Sequence, residues 1–453
     1  MSDELYRLSA VAAAEAIREG RITSEELVAS CLARIRAVDG DIEAWTHLDP
    51  EHALKQAQKA DSARQSGDPL GALHGVPVGL KDIIDTEDMP TENGTVLHAG
   101  RHPGQDAFTV SRLRQAGAVI LGKTVSTELA VFHPGKTRNP HNLAHTPGGS
   151  SSGSAAAVAA EMVPLALGTQ TNGSMIRPAS FCGVVGYKPT HGLIPRVGVL
   201  EQSPPLDQVG VYARTVEDAA LVAEQLIGFD DRDPYTRSRV PPPLLATARD
   251  EPPMEPRLAF VKTPVWDQAE PDTQSAFAEL TAFLGEELVE EVELGPSFDG
   301  VVEWHRNIME ADLARSFASE YEKGGDQLSA VLRGMIERGQ QVTAVDYNNA
   351  VRRIPWLNSA MEELFADFDA IITPATIGPA PAGLDATGSP IFCTLWTYLG
   401  TPAISLPLLQ GGNGLPLGVQ LVGARHDDGR LLRTARWLVN RLQSEDGEAG
   451  AGT

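Results

Sequence analysis

Two runs of very small residues constrain this chain more than any other feature. They are Gly148-Gly149-Ser150-Ser151-Ser152-Gly153-Ser154 and Gly168-Thr169-Gln170-Thr171-Asn172-Gly173-Ser174. Such runs let backbone approach closely whatever they enclose, and glycine reaches dihedrals that other residues resist. A third stretch, Gly79-Leu80-Lys81-Asp82, carries a lysine out of a short apolar run. Together the three can supply a nucleophile, a proton carrier and backbone N–H donors for a developing oxyanion.

The rest of the chain alternates between helix and strand signals. Residues 7–20 and 24–38 read as amphipathic helices, and Thr23 and Glu26 have capping-box spacing. Residues 76–80 read as a strand feeding Lys81 into a loop, 107–116 as a helix and 118–121 as a buried strand. Helix signals recur at 214–227 and 271–284, strand signals at 257–261 and 369–372, and 297–367 is mostly helical. This alternation predicts an α/β layered fold. Residues 1–228 form the core that carries the motifs. Residues 229–256, with Pro241-Pro242-Pro243 and Pro252-Pro253, read as a charged linker or excursion. Residues 257–443 complete the same fold, and 444–453 read as a disordered tail.

At 453 residues the chain can bury a large core. Its net charge of −23 argues against nucleic-acid partners, which need basic patches, and disfavours anionic membranes. Three widely spaced cysteines (Cys31, Cys182, Cys393) suggest no disulfide framework and fit a cytoplasmic location. No apolar run reaches the ~18 residues of a membrane span, and no signal core follows the acidic start.

The Lys81 segment, the run Asn139–Ala157 and the run Gly168–Pro189 resemble the amidase signature family. Weaker similarity continues to Thr373-Pro374 and through Gly400–Pro407. The resemblance implies a mixed central β-sheet covered by helices on both faces. It implies hydrolysis of a carbon–nitrogen bond through an acyl-enzyme, with Ser174 as nucleophile, Ser150 (a cis serine) as relay and Lys81 as base. It implies an oxyanion hole from the backbone of Thr171, Asn172, Gly173 and Ser174, and no cofactor or metal. A free lysine has pKa ~10.4, so the scheme needs burial to favour the neutral amine. Two departures from the commonest pattern stand out: Gln170 replaces an acid, and Arg177 falls three residues after the nucleophile. For Arg177 a structural ion pair is the expectation. Ser174 is also placed to cap a helix beginning Met175-Ile176-Arg177, and Asn172-Gly173 suits an ordinary tight turn.

Glu128, Leu129, Ala130 and Phe132 match a family segment beside the acyl site. With Gly149, Phe392 and Trp396 they are the candidate pocket residues, although Phe392, Leu395, Trp396 and Tyr398 equally suit core packing. The expected substrate is an apolar or aryl amide, or an aryl carbamate as for a urethanase, acted on by a monomer or homodimer. The alternative is a glutamine-hydrolysing amidotransferase A subunit. A remoter one uses Gly149-Ser150-Ser151-Ser152-Gly153 as a nucleophile elbow centred on Ser151, with Asp369 or Asp385 and His426. His141 and His145, flanked by prolines, read as loop residues rather than metal ligands.

Overall fold

The strands Pro77–Lys81 (β2), Val119–Thr124 (β3) and Leu165–Gln170 (β4) are buried at every position. Apolar runs without alternation belong to a sheet covered on both faces. The computed structural model describes residues 4–450, with side chains to Ser444. The other strands are Trp45–Leu48 (β1), Val185–Lys188 (β5), Gln208–Ala213 (β6), Leu258–Lys262 (β7), Val289–Glu293 (β8), Ala370–Pro374 (β9), Ala403–Gln410 (β10) and Pro416–Val422 (β11). Among the described residues these eleven form one mixed sheet, ordered β1-β3-β2-β4-β6-β5-β10-β11-β9-β7-β8. Helices flank it on both faces. The fold class is therefore α/β with a mixed sheet, and strands from both halves of the chain join in it.

The helices begin with Ala10–Arg18 (α1), Ser24–Ile42 (α2), Pro50–Ser66 (α3), Phe108–Gln115 (α4), Ser152–Ala159 (α5), Ile176–Cys182 (α6), Val216–Leu226 (α7) and Leu244–Arg249 (α8). They continue with Pro271–Leu284 (α9), Val301–Ser316 (α10), Ala318–Gly324 (α11), Ala330–Gly339 (α12), Ala344–Asp367 (α13), Ile391–Leu399 (α14) and Asp428–Gly450 (α15). Thr23 and Glu26 close a reciprocal capping box on α2. The proline-rich stretch 229–256 contains α8, which packs on α7 and α15. The expected tail 444–453 is helical to Gly450, as the end of α15. Its last three residues, and Met1–Asp3 of the acidic start, lie outside the described residues.

Two details position the site. Val78, Gly79 and Leu80 of β2 pair in parallel with Leu165, Ala166 and Leu167 of β4. One step further, this register brings Lys81 opposite Gly168, within reach of Thr169. Lys81 is thus the last residue of a strand, not a loop residue. Helices α10, α12, α13 and α14 share a second apolar core with β7 and β9, built on Ile308, Leu313, Met335, Leu357 and Trp396. From these helices His305 and Thr397 reach the end of β4, bonding Thr171 O and the Gln170 amide.

Candidate active site

The first small-residue run folds as it does because side chains would not fit. A Cβ on Gly153 would lie 2.2 Å from the Ala44 carbonyl oxygen. Gly148 has φ +81°, and a Cβ there would meet the Pro178 backbone at 2.9 Å. The Gly149–Ser150 peptide is cis. The Gly149 carbonyl accepts from Arg177 Nη2 at 2.6 Å. Behind it, α5 is buried almost throughout and packs against β2, β3, β4 and α6.

Lys81 is fully buried. Its Nζ lies 2.6 Å from Ser150 Oγ and 2.8 Å from Thr169 Oγ1. Burial pushes its pKa well below the usual lysine range, opposed by the charge of Asp207. The amine is therefore held toward its neutral form, as the chemistry requires.

The second run, between β4 and α6, is tied by all of its carbonyls. Thr171 O accepts from His305 Nε2 at 2.9 Å, and Asn172 O accepts from Thr397 Oγ1. Gly173 O accepts from Arg177 N at 3.0 Å, and Ser174 O from the Tyr212 hydroxyl at 2.9 Å. Asn172 Oδ1 is held in turn by Thr394 Oγ1 at 2.8 Å. The N–H groups of these four residues find no protein acceptor among the described residues. Four anchored carbonyls leave the N–H groups of these residues unengaged, which an oxyanion site requires.

Gln170 explains how this loop leads into a helix. Its Oε1 accepts from the N–H groups of Met175 and Ile176 at 2.7 and 3.0 Å, and its Nε2 donates to Thr397 Oγ1 at 2.8 Å. The cap of α6 is thus the Gln170 amide, and Ser174 makes no capping bond. Ser174 is half-buried. It lines a small pocket with Ala130, Phe132, Asn172, Gln202 and Met309. This pocket shares Phe132, Asn172 and Met309 with a cavity of about 450 Å³ whose other walls come from α10, α12 and the start of α14. Ser150 Oγ bonds to Lys81 and not to Ser174.

Several expectations need correction. Arg177 is buried and has no carboxylate partner among the described residues. It holds Gly149 O and Thr387 Oγ1 and faces the Phe132 ring at 5.9 Å, so it is a backbone clamp rather than half of an ion pair. Glu128 is turned away from the cavity, accepting from Ser329 N at 3.1 Å just before α12. Leu129 is fully buried, and only its carbonyl is engaged, by Gln202. Gly149 contributes backbone alone. Phe392 packs with Val265 and Ala269, and Trp396 lies in the second apolar core, so neither lines the cavity. Ala130 and Phe132 do.

The elbow reading centred on Ser151 is not assembled. Ser151 is buried, its Oγ bonded to the Thr169 backbone, while His426 contacts Arg239 and Asp369 pairs with Arg430. Thr169, Gln202, His305, Thr394 and Thr397 are further site residues whose roles no local motif in the sequence assigns. For Thr394 and Thr397 a signal existed: they fall three apart on an otherwise apolar helix, and so share a face.

The amidase family model matches residues 26–432. The chain belongs to the amidase signature family. Like its relatives, it is a hydrolase acting on carbon–nitrogen bonds. It is 35% identical to the A subunit of glutamyl-tRNA(Gln) amidotransferase from Chloroflexus aurantiacus, over 95% of this chain and 96% of that one. Among solved structures it resembles the peptide amidase of Stenotrophomonas maltophilia, with TM-score 0.82 and 29% identity over 96% of this chain and 97% of that one. It also resembles a protein solved with an inhibitor in work on the origins of an s-triazine catabolic enzyme, with TM-score 0.89 and 29% identity over 96% and 98%. The expected apolar or aryl amide or carbamate is overturned by the curated relatives. At similar identity and near-complete coverage they are named as amidotransferase subunits. No helix among the described residues is long and apolar enough to cross a membrane.

Proposed function

We propose that this amidase releases ammonia from the side-chain amide of glutamine, as the A subunit of an amidotransferase. The observation that carries this reading is the near full-length match to relatives of that name. The chemistry of the site fits it. Neutral Lys81 donates one N–H to Thr169 Oγ1 and keeps its lone pair for the Ser150 hydroxyl. As Ser174 Oγ attacks the amide carbon, its proton passes to Ser150 while Ser150 gives its own to Lys81. That transfer requires Ser174 to close on Ser150 once substrate is bound, a tightening common in such sites. The tetrahedral oxyanion then takes the free N–H groups of Thr171–Ser174. On collapse the relay returns the proton to the nitrogen, ammonia leaves and a glutamyl ester remains on Ser174. Water, activated by the same relay, hydrolyses the ester to glutamate.

A glutamine carboxylate also needs a cation. Arg306 is exposed at the cavity and makes no ion pair among the described residues, whereas Arg338 is committed to Glu310 at 2.5 Å. The purified chain is tested for ammonia and glutamate release from glutamine, against a panel of simple carboxamides. Turnover of the panel without turnover of glutamine, alone or with any subunit that co-purifies, would sink the glutamine reading.

A further inference from the structure

Thr171 Oγ1 lies 2.5 Å from Gln202 Oε1 and 2.6 Å from Asp207 Oδ1. A hydroxyl has one proton to give, so it satisfies only one of these two acceptors. Turning the Gln202 amide over does not resolve the conflict. Its Nε2 donates to the Leu129 carbonyl at 2.7 Å, and a carbonyl can only accept. Asp207 Oδ2 is already engaged by the N–H groups of Gln202 and Ser203, at 2.8 and 2.9 Å. Within the protein, a proton on Asp207 Oδ1 closes the count.

We propose that Asp207 is a positioning residue that works in its protonated form. Its carboxylic O–H donates to Thr171 Oγ1, the Thr171 hydroxyl to Gln202 Oε1, and the Gln202 amide to Leu129 O. This chain ties the Thr171–Ser174 loop to the segment Leu129–Ala130, whose φ values of +45° and +57° place it in the left-handed region. Asp207 thereby keeps the loop in register with the wall of the Ser174 pocket. The inference rests on reading Thr171–Ser174 as the oxyanion site.

The surroundings agree. Asp207 is half-buried at the wall of a separate cavity of about 320 Å³, which Thr169 and Thr171 also line. Desolvation pushes its pKa up to about 6, against the pull of Arg196 and of its hydrogen bonds. Arg196 donates to the Asp207 carbonyl and is paired with Asp233 at 2.7 Å. From α10, His305 holds the Thr171 carbonyl and Asp312 accepts from Ser203 Oγ. Lys81 feels the Asp207 charge directly. Arg232 and Glu201 complete the charged lining of the cavity. Because the folded state favours protonated Asp207, the brace is intact at low pH and is lost as pH rises through about 6. Ionised, Asp207 accepts the Thr171 hydroxyl, strands Gln202 Oε1 and draws Lys81 toward its ammonium form.

Asp207→Asn is the decisive variant. Its Nδ2 donates to Thr171 Oγ1 and its Oδ1 accepts the two backbone N–H groups, mimicking the protonated acid at every pH. The readout is the rate at which a fluorophosphonate labels Ser174, followed against pH. Asp207→Asn should label within about threefold of the best wild-type rate and lack any decline through about pH 6, while Asp207→Ala falls about tenfold or more. Isotope-edited infrared spectra of the wild type should show a protonated-carboxyl band that titrates away over the same range and is missing from Asp207→Asn. If Asp207→Asn labels as poorly as Asp207→Ala, or the band is absent from the wild type at low pH, the proposal is overturned. A failure to hydrolyse glutamine would leave both readouts standing, and the infrared result decides even if Ser174 is not the labelled residue.

Discussion

Replacing Lys81 with methionine separates its chemistry from its packing. Methionine fills most of the same buried volume, so the change chiefly removes the amine that lies 2.6 Å from Ser150 Oγ and 2.8 Å from Thr169 Oγ1. Loss of a general base lowers turnover by ~10²–10⁴-fold, or about 3–5 kcal/mol of barrier. Two buried hydroxyls lose a partner, each worth roughly 1–3 kcal/mol of stability. The pH dependence is the sharper signature. Lys81 titrates well below its unfolded value in the folded chain. Between those two values the unfolded state binds the extra proton, so stability rises with pH by ~1.4 kcal/mol per unit. In Lys81→Met that contribution is lost, and the slope falls to what buried Lys123 and Lys188, also pushed down, still supply. The acid limb of kcat/KM should vanish with it, because buried His191 and His305 are pushed down to about 3 and about 4. The assay is ammonia release against pH, alongside urea midpoints at two pH values above neutrality. A Lys81→Met enzyme within about tenfold of wild type that kept its acid limb would refute the base assignment.

Ser174→Ala should abolish turnover with the fold intact, and intact-mass analysis should find a single fluorophosphonate adduct on Ser174 of the wild type. An adduct on Ser151 instead would revive the elbow mechanism. Gln170→Leu should strand the N–H groups of Met175 and Ile176, lowering stability by ~2–6 kcal/mol and slowing turnover. An unchanged melting temperature would show that the cap is dispensable. Arg306→Ala should raise KM for glutamine by about tenfold while leaving a neutral carboxamide unaffected. Equal effects on both would remove Arg306 from carboxylate recognition.

Much of the scaffold was legible because local signals dominate it. Proline at the first position of α9 and the Thr23–Glu26 box on α2 fix helix starts from neighbouring residues alone. The pairing of Lys81 with Ser150 was legible only through the family resemblance, and the structure now supplies the distance. The pocket was read less well. On α14 the aromatic residues Phe392 and Trp396 fall four apart and share a face, but periodicity does not say whether that face meets a cavity or the core. Here it meets the core, and Ile391 and Thr394 take the cavity. The carbonyl anchors of Thr171 and Asn172 come from His305 and Thr397, which lie 134 and 225 residues further along the chain. No local pattern in the sequence could announce them.

Those distant anchors govern when the site can exist during synthesis. A chain still on the ribosome and ending before Pro390 already holds Lys81, Ser150 and Ser174, but not the threonines of α14 that fix Asn172 and receive the Gln170 amide. Until α14 emerges and docks, Asn172 and the Gln170 amide lack their partners, and the loop before Ser174 is held only by His305, Arg177 and Tyr212. Fragments that end before Pro390 should therefore be far less active toward amides than the full chain.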